Sequence, residues 1–269
     1  MYSLNEGPND ENSGITKDNK ALYDYAEKAS VNMGLALSTI PPSIQEVSQN
    51  TLKEFGPDIA FMATPHSQAV MMNFFVGLLN ARSILEIGTF TGLSAIYLAH
   101  ALKRNGVAPG PDDSGYVPLT CLDMSKVFTR HARQNIDISG LSDYVNIIVG
   151  DARQEILNLN GHKFDFIYID ADKNSYKKYY NSILDLGLLS KNGLMVFDNT
   201  ALWKTVEFMD KPIDDVETVV IEDIPSEDLT RKQLGRVAHD FNEYIRNDSR
   251  TEVVMFPVFT GVTFVRVLE

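Results

Sequence analysis

From Ser83 onward, short apolar runs alternate with amphipathic stretches, and no other feature of the chain narrows its possible folds as far. The runs are Ile84 to Ile87, Leu119 to Leu122, Val145 to Val149, Phe164 to Ile169 and Leu194 to Phe197. Between them lie stretches of helical periodicity: Gly92 to Leu102, one through Arg130 to Ile138, a short one near Arg153 to Leu159, and a long one from about Asn174 to Leu186. The runs are apolar at successive positions rather than at alternate ones, so both faces of each strand must be covered. That is the pattern of a mostly parallel sheet with helices on both sides, an α/β fold. The end of the chain differs. Glu252 to Phe256 and Val262 to Val267 are β-rich and flank the turn-like Pro257-Val258-Phe259-Thr260-Gly261, which predicts a terminal antiparallel hairpin.

Ahead of this core, residues 1–18 are polar and acidic, with too few apolar anchors to offset the entropy of ordering, and are expected to form a flexible tail. Residues 19–82 read as extra N-terminal helices. Leu22, Tyr25, Ala26 and Ala29, then Met33 and Leu35, recur at helical spacing, and a second run ends near Phe55-Gly56-Pro57. A third follows Thr64-Pro65, with threonine as N-cap and proline at the first helical position. This segment is too small for a core of its own, so residues 19–269 are expected to form a single domain with 83–269 as its α/β core. Two stretches break the rhythm. Arg104 to Pro118 reads as a surface insertion, and Thr205 to Leu229 as either a lid or an ordinary surface loop.

Composition narrows the partners. Asp and Glu total 36 against 24 Lys and Arg, a net charge of -12, which argues against nucleic acid or an anionic membrane surface. No apolar stretch approaches the roughly 20 residues of a membrane helix, and the first residues lack the basic and apolar regions of a secretory signal. The single cysteine, Cys121, fits a reducing compartment and reads as a small buried hydrophobe in a strand. Together these predict a cytoplasmic protein.

In an open α/β sheet, ligands bind beyond the C-terminal ends of the strands. The first such turn is Glu86-Ile87-Gly88-Thr89-Phe90-Thr91-Gly92. Its carboxylate stands where a dinucleotide site needs an anion-friendly glycine, so NAD is disfavoured and a cationic ligand such as S-adenosylmethionine is favoured. A plain tight turn with a surface glutamate would carry the same letters. The next strand ends at Asp123, which can accept from two ribose hydroxyls, and the third at Gly150-Asp151-Ala152, where Asp151 either meets the ligand or caps the following helix.

The fourth and fifth strands end in Asp170-Ala171-Asp172-Lys173 and Asp198-Asn199-Thr200. Asp170, Asp198 and Asn199 offer three oxygen ligands, two of them anionic, which suits Mg²⁺ or Ca²⁺ and suits Zn²⁺ poorly. Helix capping by Asp170 or Asp172 and an Asx-turn at Asp198-Asn199 would account for either half alone. Lys173 lies within reach of a hydroxyl held on such a metal, and a neighbouring cation makes general-base work by a lysine feasible. The competing reading of Lys173 is a surface lysine paired with Asp172. The five histidines, His66, His100, His131, His162 and His239, show no metal-ligand spacing, and only His66, two residues after Thr64, falls near the expected site. Met71, Met72, Phe74 and Phe75 read as core or dimer packing.

These residues resemble the metal-dependent class I O-methyltransferases that include the caffeoyl-coenzyme A and catechol enzymes. The most specific stretches are Glu86 to Ser94, Tyr168-Ile169-Asp170-Ala171-Asp172-Lys173-Asn174-Ser175-Tyr176 and Asp198-Asn199-Thr200, and the likeness runs from about Thr64 to the C-terminus. The resemblance implies a Rossmann-like class I methyltransferase fold, a seven-stranded sheet with a reversed last strand, and a homodimer. It implies Asp170, Asp198 and Asn199 as ligands of a divalent metal, Mg²⁺ first and Ca²⁺ or Mn²⁺ as alternatives, and Lys173 as catalytic base. S-adenosylmethionine would be contacted by Thr64, Glu86, Gly88, Ser94, Asp123, Ala152, Asp170 and Asp172. The acceptor would be a small phenol with vicinal hydroxyls. Two departures lie near the acceptor: Ala201 adds a residue before Trp203, and Phe259-Thr260-Gly261 replaces a Gly-Asp-Gly pattern. They leave the activity class intact, and a coenzyme A ester acceptor is not carried over. Three rivals stay open: a methyltransferase of the same fold using a non-catechol acceptor without a catalytic metal, a non-catalytic cofactor-binding protein, and, weakest, an NAD-dependent dehydrogenase.

Overall fold

The computed structural model of the chain describes residues 29, 41, 43–113, 115–201, 205 and 229–268. The expected acidic tail, the first helical run of residues 21–35, Trp203 and nearly all of the 205–229 stretch lie outside the described residues. The elements are α1 (Ile44–Phe55), α2 (Pro57–Ala60), α3 (His66–Leu78), β1 (Ile84–Ile87), α4 (Leu93–Arg104), β2 (Leu119–Asp123), α5 (Lys126–Ile138), β3 (Val145–Val149), α6 (Ala152–Glu155), β4 (Phe164–Ile169), α7 (Tyr176–Asp185), β5 (Leu189–Asp198), α8 (Arg231–Arg246), β6 (Thr251–Phe256) and β7 (Val262–Val267). The strands form one seven-stranded sheet in the order β3-β2-β1-β4-β5-β7-β6. The parallel core and the antiparallel C-terminal hairpin match the expected α/β architecture. Among the described residues no helix is long and apolar enough to cross a membrane.

Contacts divide the chain into two compact units, one ending at Asp151 and the other running from Ala152 to the C-terminus. In the first, β1 pairs in parallel with β2 and β2 with β3, with Glu86 opposite Cys121 and Asp123 opposite Val149. All four β1 residues are buried. Helix α4 is apolar on nearly every side, and Leu93 to Ala99 are all buried. It starts at Gly92, whose φ of 87° is a left-handed value that costs a side-chain-bearing residue. A Cβ there would sit 3.2 Å from Ala132 on α5, a tighter approach than ordinary van der Waals contact, so α5 would have to shift to admit it.

Helix α3 corrects the expected capping. Pro65 (φ -55°, ψ 144°) is itself the N-cap, and the helix begins at His66, which places Thr64 before the cap rather than at it. A polar seam joins α3 to α4. The Tyr97 hydroxyl lies 2.6 Å from His66 Nδ1, Asn73 Nδ2 donates to the Tyr97 carbonyl at 2.8 Å, and Arg104 donates to the Asn73 oxygen. Met72 is core, whereas Phe74 and Leu78, one turn apart, stand 59% and 69% exposed.

In the second unit β4 and β5 are parallel, and β7 lies antiparallel between β5 and β6. Strand β5 is longer than the apolar run predicted, since Leu189 pairs with Phe164 ahead of the bulge between Phe164 and Phe166. Helix α7 buries Tyr176, Tyr179, Tyr180 and Ile183. The rings of Tyr176 and Tyr180 meet Phe197 of β5 and Phe241 of α8 at centroid distances of 5.3 to 6.4 Å. Helix α8 opens with a reciprocal capping box between Thr230 and Gln233.

Candidate active site

The glycine turn after β1 is built around two carboxylates with opposite fates. Asp123, at the end of β2, accepts from the backbone N–H groups of Thr89 (3.0 Å) and Phe90 (2.9 Å) through Oδ2 and from that of Ser125 (2.8 Å) through Oδ1. It therefore braces the turn, a role the sequence did not announce. A carboxylate has about four lone-pair sites, so acceptance from a ligand hydroxyl remains open to it. The brace fixes Gly88 at φ 93° and Phe90 at φ 50°, a left-handed value unusual for an aromatic residue. The Phe90 ring is held by Phe128 at 4.7 Å and Phe55 at 6.1 Å.

Glu86 is wholly buried, and neither of its oxygens has a hydrogen-bond partner. Burial pushes its carboxyl up to about 7. The nearby side chains of Ser94, Cys121 and Thr89 draw it partly back without reaching hydrogen-bonding geometry, and Asp123 raises it further. The expectation of a surface glutamate is thereby excluded. A buried, unpaired carboxyl is costly, and a cationic group or a set of donors would relieve it. Cys121, opposite Glu86 in the ladder, is buried as expected, and burial together with Glu86 holds its thiol well above the usual range, which makes it unreactive. Thr64 and Ser94 are buried, and Ala152, also buried, opens α6. Burial lowers the pKa of His66.

The second group of predicted residues sits at the ends of β4 and β5. Asp198 is 2% exposed; its Oδ2 accepts from the Tyr168 hydroxyl at 3.0 Å and its Oδ1 from the Asn199 N–H at 2.8 Å. Asn199 adopts φ 55°, and its Nδ2 donates to Thr260 Oγ1 at 2.7 Å, which leaves its oxygen as the donor atom for a ligand. The turn that supplies Thr260 has three successive left-handed residues, Phe259 (φ 51°), Thr260 (φ 66°) and Gly261 (φ 87°). Two of the three are not glycine, a strain that the Gly-Asp-Gly pattern would lessen.

Lys173 Nζ donates to Asp170 Oδ1 at 2.9 Å and to the Tyr176 hydroxyl at 2.8 Å. It is mostly buried and bonded to Asp170, not a surface lysine paired with Asp172. Asp172 instead accepts from Ser175 Oγ at 2.5 Å; it stands at the N-cap position of the 3-10 turn Lys173–Ser175, but its side chain makes no capping bond to a backbone N–H there. Tyr176 was not singled out in the sequence, yet its hydroxyl also donates to the Asp198 carbonyl at 2.8 Å. Burial and then Asp170, Asp198 and Asp172 hold that hydroxyl well above its ordinary pKa, which keeps it a neutral donor. Tyr168 likewise received no role from the sequence, because a hydroxyl inside an apolar run carries no periodic signal.

Among the described residues no group of three or more His, Cys, Asp and Glu side chains is arranged to hold a metal ion. Asp170, Asp198 and Asn199 contain only two such side chains. Their donor chemistry nevertheless fits a hard divalent cation, with two carboxylate oxygens and one amide oxygen.

The O-methyltransferase family pattern matches residues 36–268. Among similar proteins, O-methyltransferase hkm8 of Aspergillus hancockii is 29% identical over 84% of this chain and 88% of its own length. A probable caffeoyl-CoA O-methyltransferase 3 of Dictyostelium discoideum is 30% identical over 77% of this chain and 76% of its own. The SAH-bound methyltransferase PaMTH1 of Podospora anserina superposes with a TM-score of 0.73 at 25% identity, over the whole of both chains.

Proposed function

Because the chain belongs to the O-methyltransferase family, we propose that it transfers a methyl group from S-adenosylmethionine to a hydroxyl of a small phenol with vicinal oxygens, in a divalent-metal-dependent reaction. The observation that carries the finer reading is the grouping of Asp170, Lys173 and Asp198, with Asn199 beside them, at the ends of two adjacent parallel strands. Glu86, buried and without a hydrogen bond, supports a cationic cofactor on the first unit.

In this reading Asp170, Asp198 and Asn199 hold the cation. When bound, it supplies charge that lowers the pKa of an acceptor hydroxyl. Lys173 takes the proton of that hydroxyl, and the oxygen then displaces S-adenosylhomocysteine in line from the methyl carbon. The donor is already activated by its sulfonium charge, so positioning supplies most of the acceleration. Tyr168 and the Asn199 N–H fix the Asp198 carboxylate, and Asp123 keeps the glycine turn open to the cofactor. Self-association belongs to the same proposal, supported by the exposed Phe74 and Leu78 on α3; a monomeric mass by light scattering would remove it.

The test is transfer of labelled methyl to a panel of catechols, flavonoids and hydroxycinnamates, run with Mg²⁺ and with EDTA. Turnover that needs Mg²⁺, and is lost in Asp170→Ala and Asp198→Ala while S-adenosylhomocysteine still binds, is expected. Full activity of both variants in chelator would refute the metal role. The 2.9 Å Lys173–Asp170 pair favours one competing reading, in which that pair is structural and the acceptor lacks vicinal hydroxyls. Transfer insensitive to EDTA would select it.

A further inference from the structure

We propose that Tyr176 is a positioning residue of this site: its hydroxyl holds Lys173 against Asp170 and ties the end of β4 to the end of β5. The residue is 2% exposed, and its ring packs on Phe197 of β5 and Phe241 of α8 at 5.3 and 5.4 Å. A phenylalanine would fill that space equally well, so packing does not account for the oxygen. The oxygen has three neighbours. It accepts from Lys173 Nζ at 2.8 Å, donates to the carbonyl of Asp198 at 2.8 Å, and lies 3.3 Å from the carbonyl of Ile169. Ile169 is the last residue of β4, immediately before Asp170, and Asp198 is the last of β5. One hydroxyl thus contacts the backbone at the ends of both strands and the Nζ of Lys173.

Lysine has four rotatable side-chain bonds and loses much of its rotamer freedom when fixed. Asp170 alone leaves Nζ free to swing about one contact. The second contact, to Tyr176 on the following turn, defines its place, and Nζ also lies 5.0 Å from the centre of the Tyr176 ring. The same helix supplies an internal control. Tyr180 packs on the same Phe197 and Phe241, but its hydroxyl bonds to Thr251 Oγ1 at 2.8 Å on β6.

The inference rests on the methyl-transfer reading only for the chemistry that Lys173 performs. Tyr176→Phe and Tyr180→Phe each remove one buried hydroxyl and keep the ring. Both variants and the native protein are treated with a limiting amine-acylating reagent, and modification of Lys173 relative to the exposed Lys178 is read by mass spectrometry. Methyl transfer is measured in parallel. Tyr176→Phe should raise Lys173 labelling several-fold and lower kcat about tenfold without changing KM for S-adenosylmethionine. Tyr180→Phe should lower heat stability while leaving labelling and kcat as in the native protein. Native-rate labelling of Lys173 in Tyr176→Phe, or equal effects from the two variants, would overturn the proposal. If no acceptor is turned over, the function assigned above fails, and the labelling comparison still decides the role of Tyr176.

Discussion

Glu86 makes the protein's stability depend on pH in a direction opposite to that of most carboxylates. Its folded pKa is about 7, against an ordinary 4.5. Below about pH 4.5 the carboxyl is protonated in both folded and unfolded chains and has no linkage effect. Between 4.5 and 7 the unfolded chain releases the proton while the folded one retains it, so stability falls by about 1.4 kcal/mol per pH unit. Above pH 7 both states are ionised, and the accumulated loss is about 3 kcal/mol. Glu86→Gln has no proton to release. Its stability relative to the native protein should therefore climb by about 3 kcal/mol between pH 4.5 and 7.5 and then level off. Urea unfolding of both proteins at half-unit pH steps measures this, and subtracting the curves cancels every other titrating group. The variant should also bind S-adenosylmethionine more weakly, since it lacks the negative charge that a cationic ligand draws out of Glu86. A difference that stays flat across this pH range would refute the account of Glu86 as a buried, unpaired acid.

Two further outcomes follow from particular atoms. In Gly261→Ala the new Cβ would lie 2.6 Å from Ala201 Cβ at a φ of 87°; left-handed strain of roughly 1–2 and overpacking of roughly 1–3 kcal/mol predict a loss of about 2–5 kcal/mol in chemical denaturation. A loss under 0.5 kcal/mol would show that the turn yields freely. Asp123→Ala strands the N–H groups of Thr89, Phe90 and Ser125, and calorimetry should find S-adenosylhomocysteine bound at least tenfold more weakly, with Asp123→Asn between the two. Unchanged affinity would mean that the brace is dispensable.

The ends of β2, β4 and β5 were legible because a covered parallel strand is apolar until its C-terminal end, which Asp123, Asp170 and Asp198 mark, whereas Glu86 lies inside β1 and is buried there. The start of α3 was misplaced by one residue, since Thr64-Pro65 fits two capping registers and only the backbone angles of Pro65 choose between them. The supporting hydroxyls were silent for a different reason. Tyr168 and Tyr176 occupy positions that hydrophobic periodicity assigns to core, and the ring satisfies that pattern whatever the oxygen does.

The sequence by itself determined the class of fold, the candidate acids and the lysine, because these depend on local patterning and on residue types that few other roles explain. Tertiary structure alone decided their states. Lys173 bonds to Asp170 and Tyr176 rather than Asp172, Asp123 is a brace, and Glu86 is a buried acid with a pKa of about 7 rather than a surface anion. Burial and partnership are set by segments distant in the chain, and the free energy of a charge depends on what surrounds it more than on its neighbours in sequence.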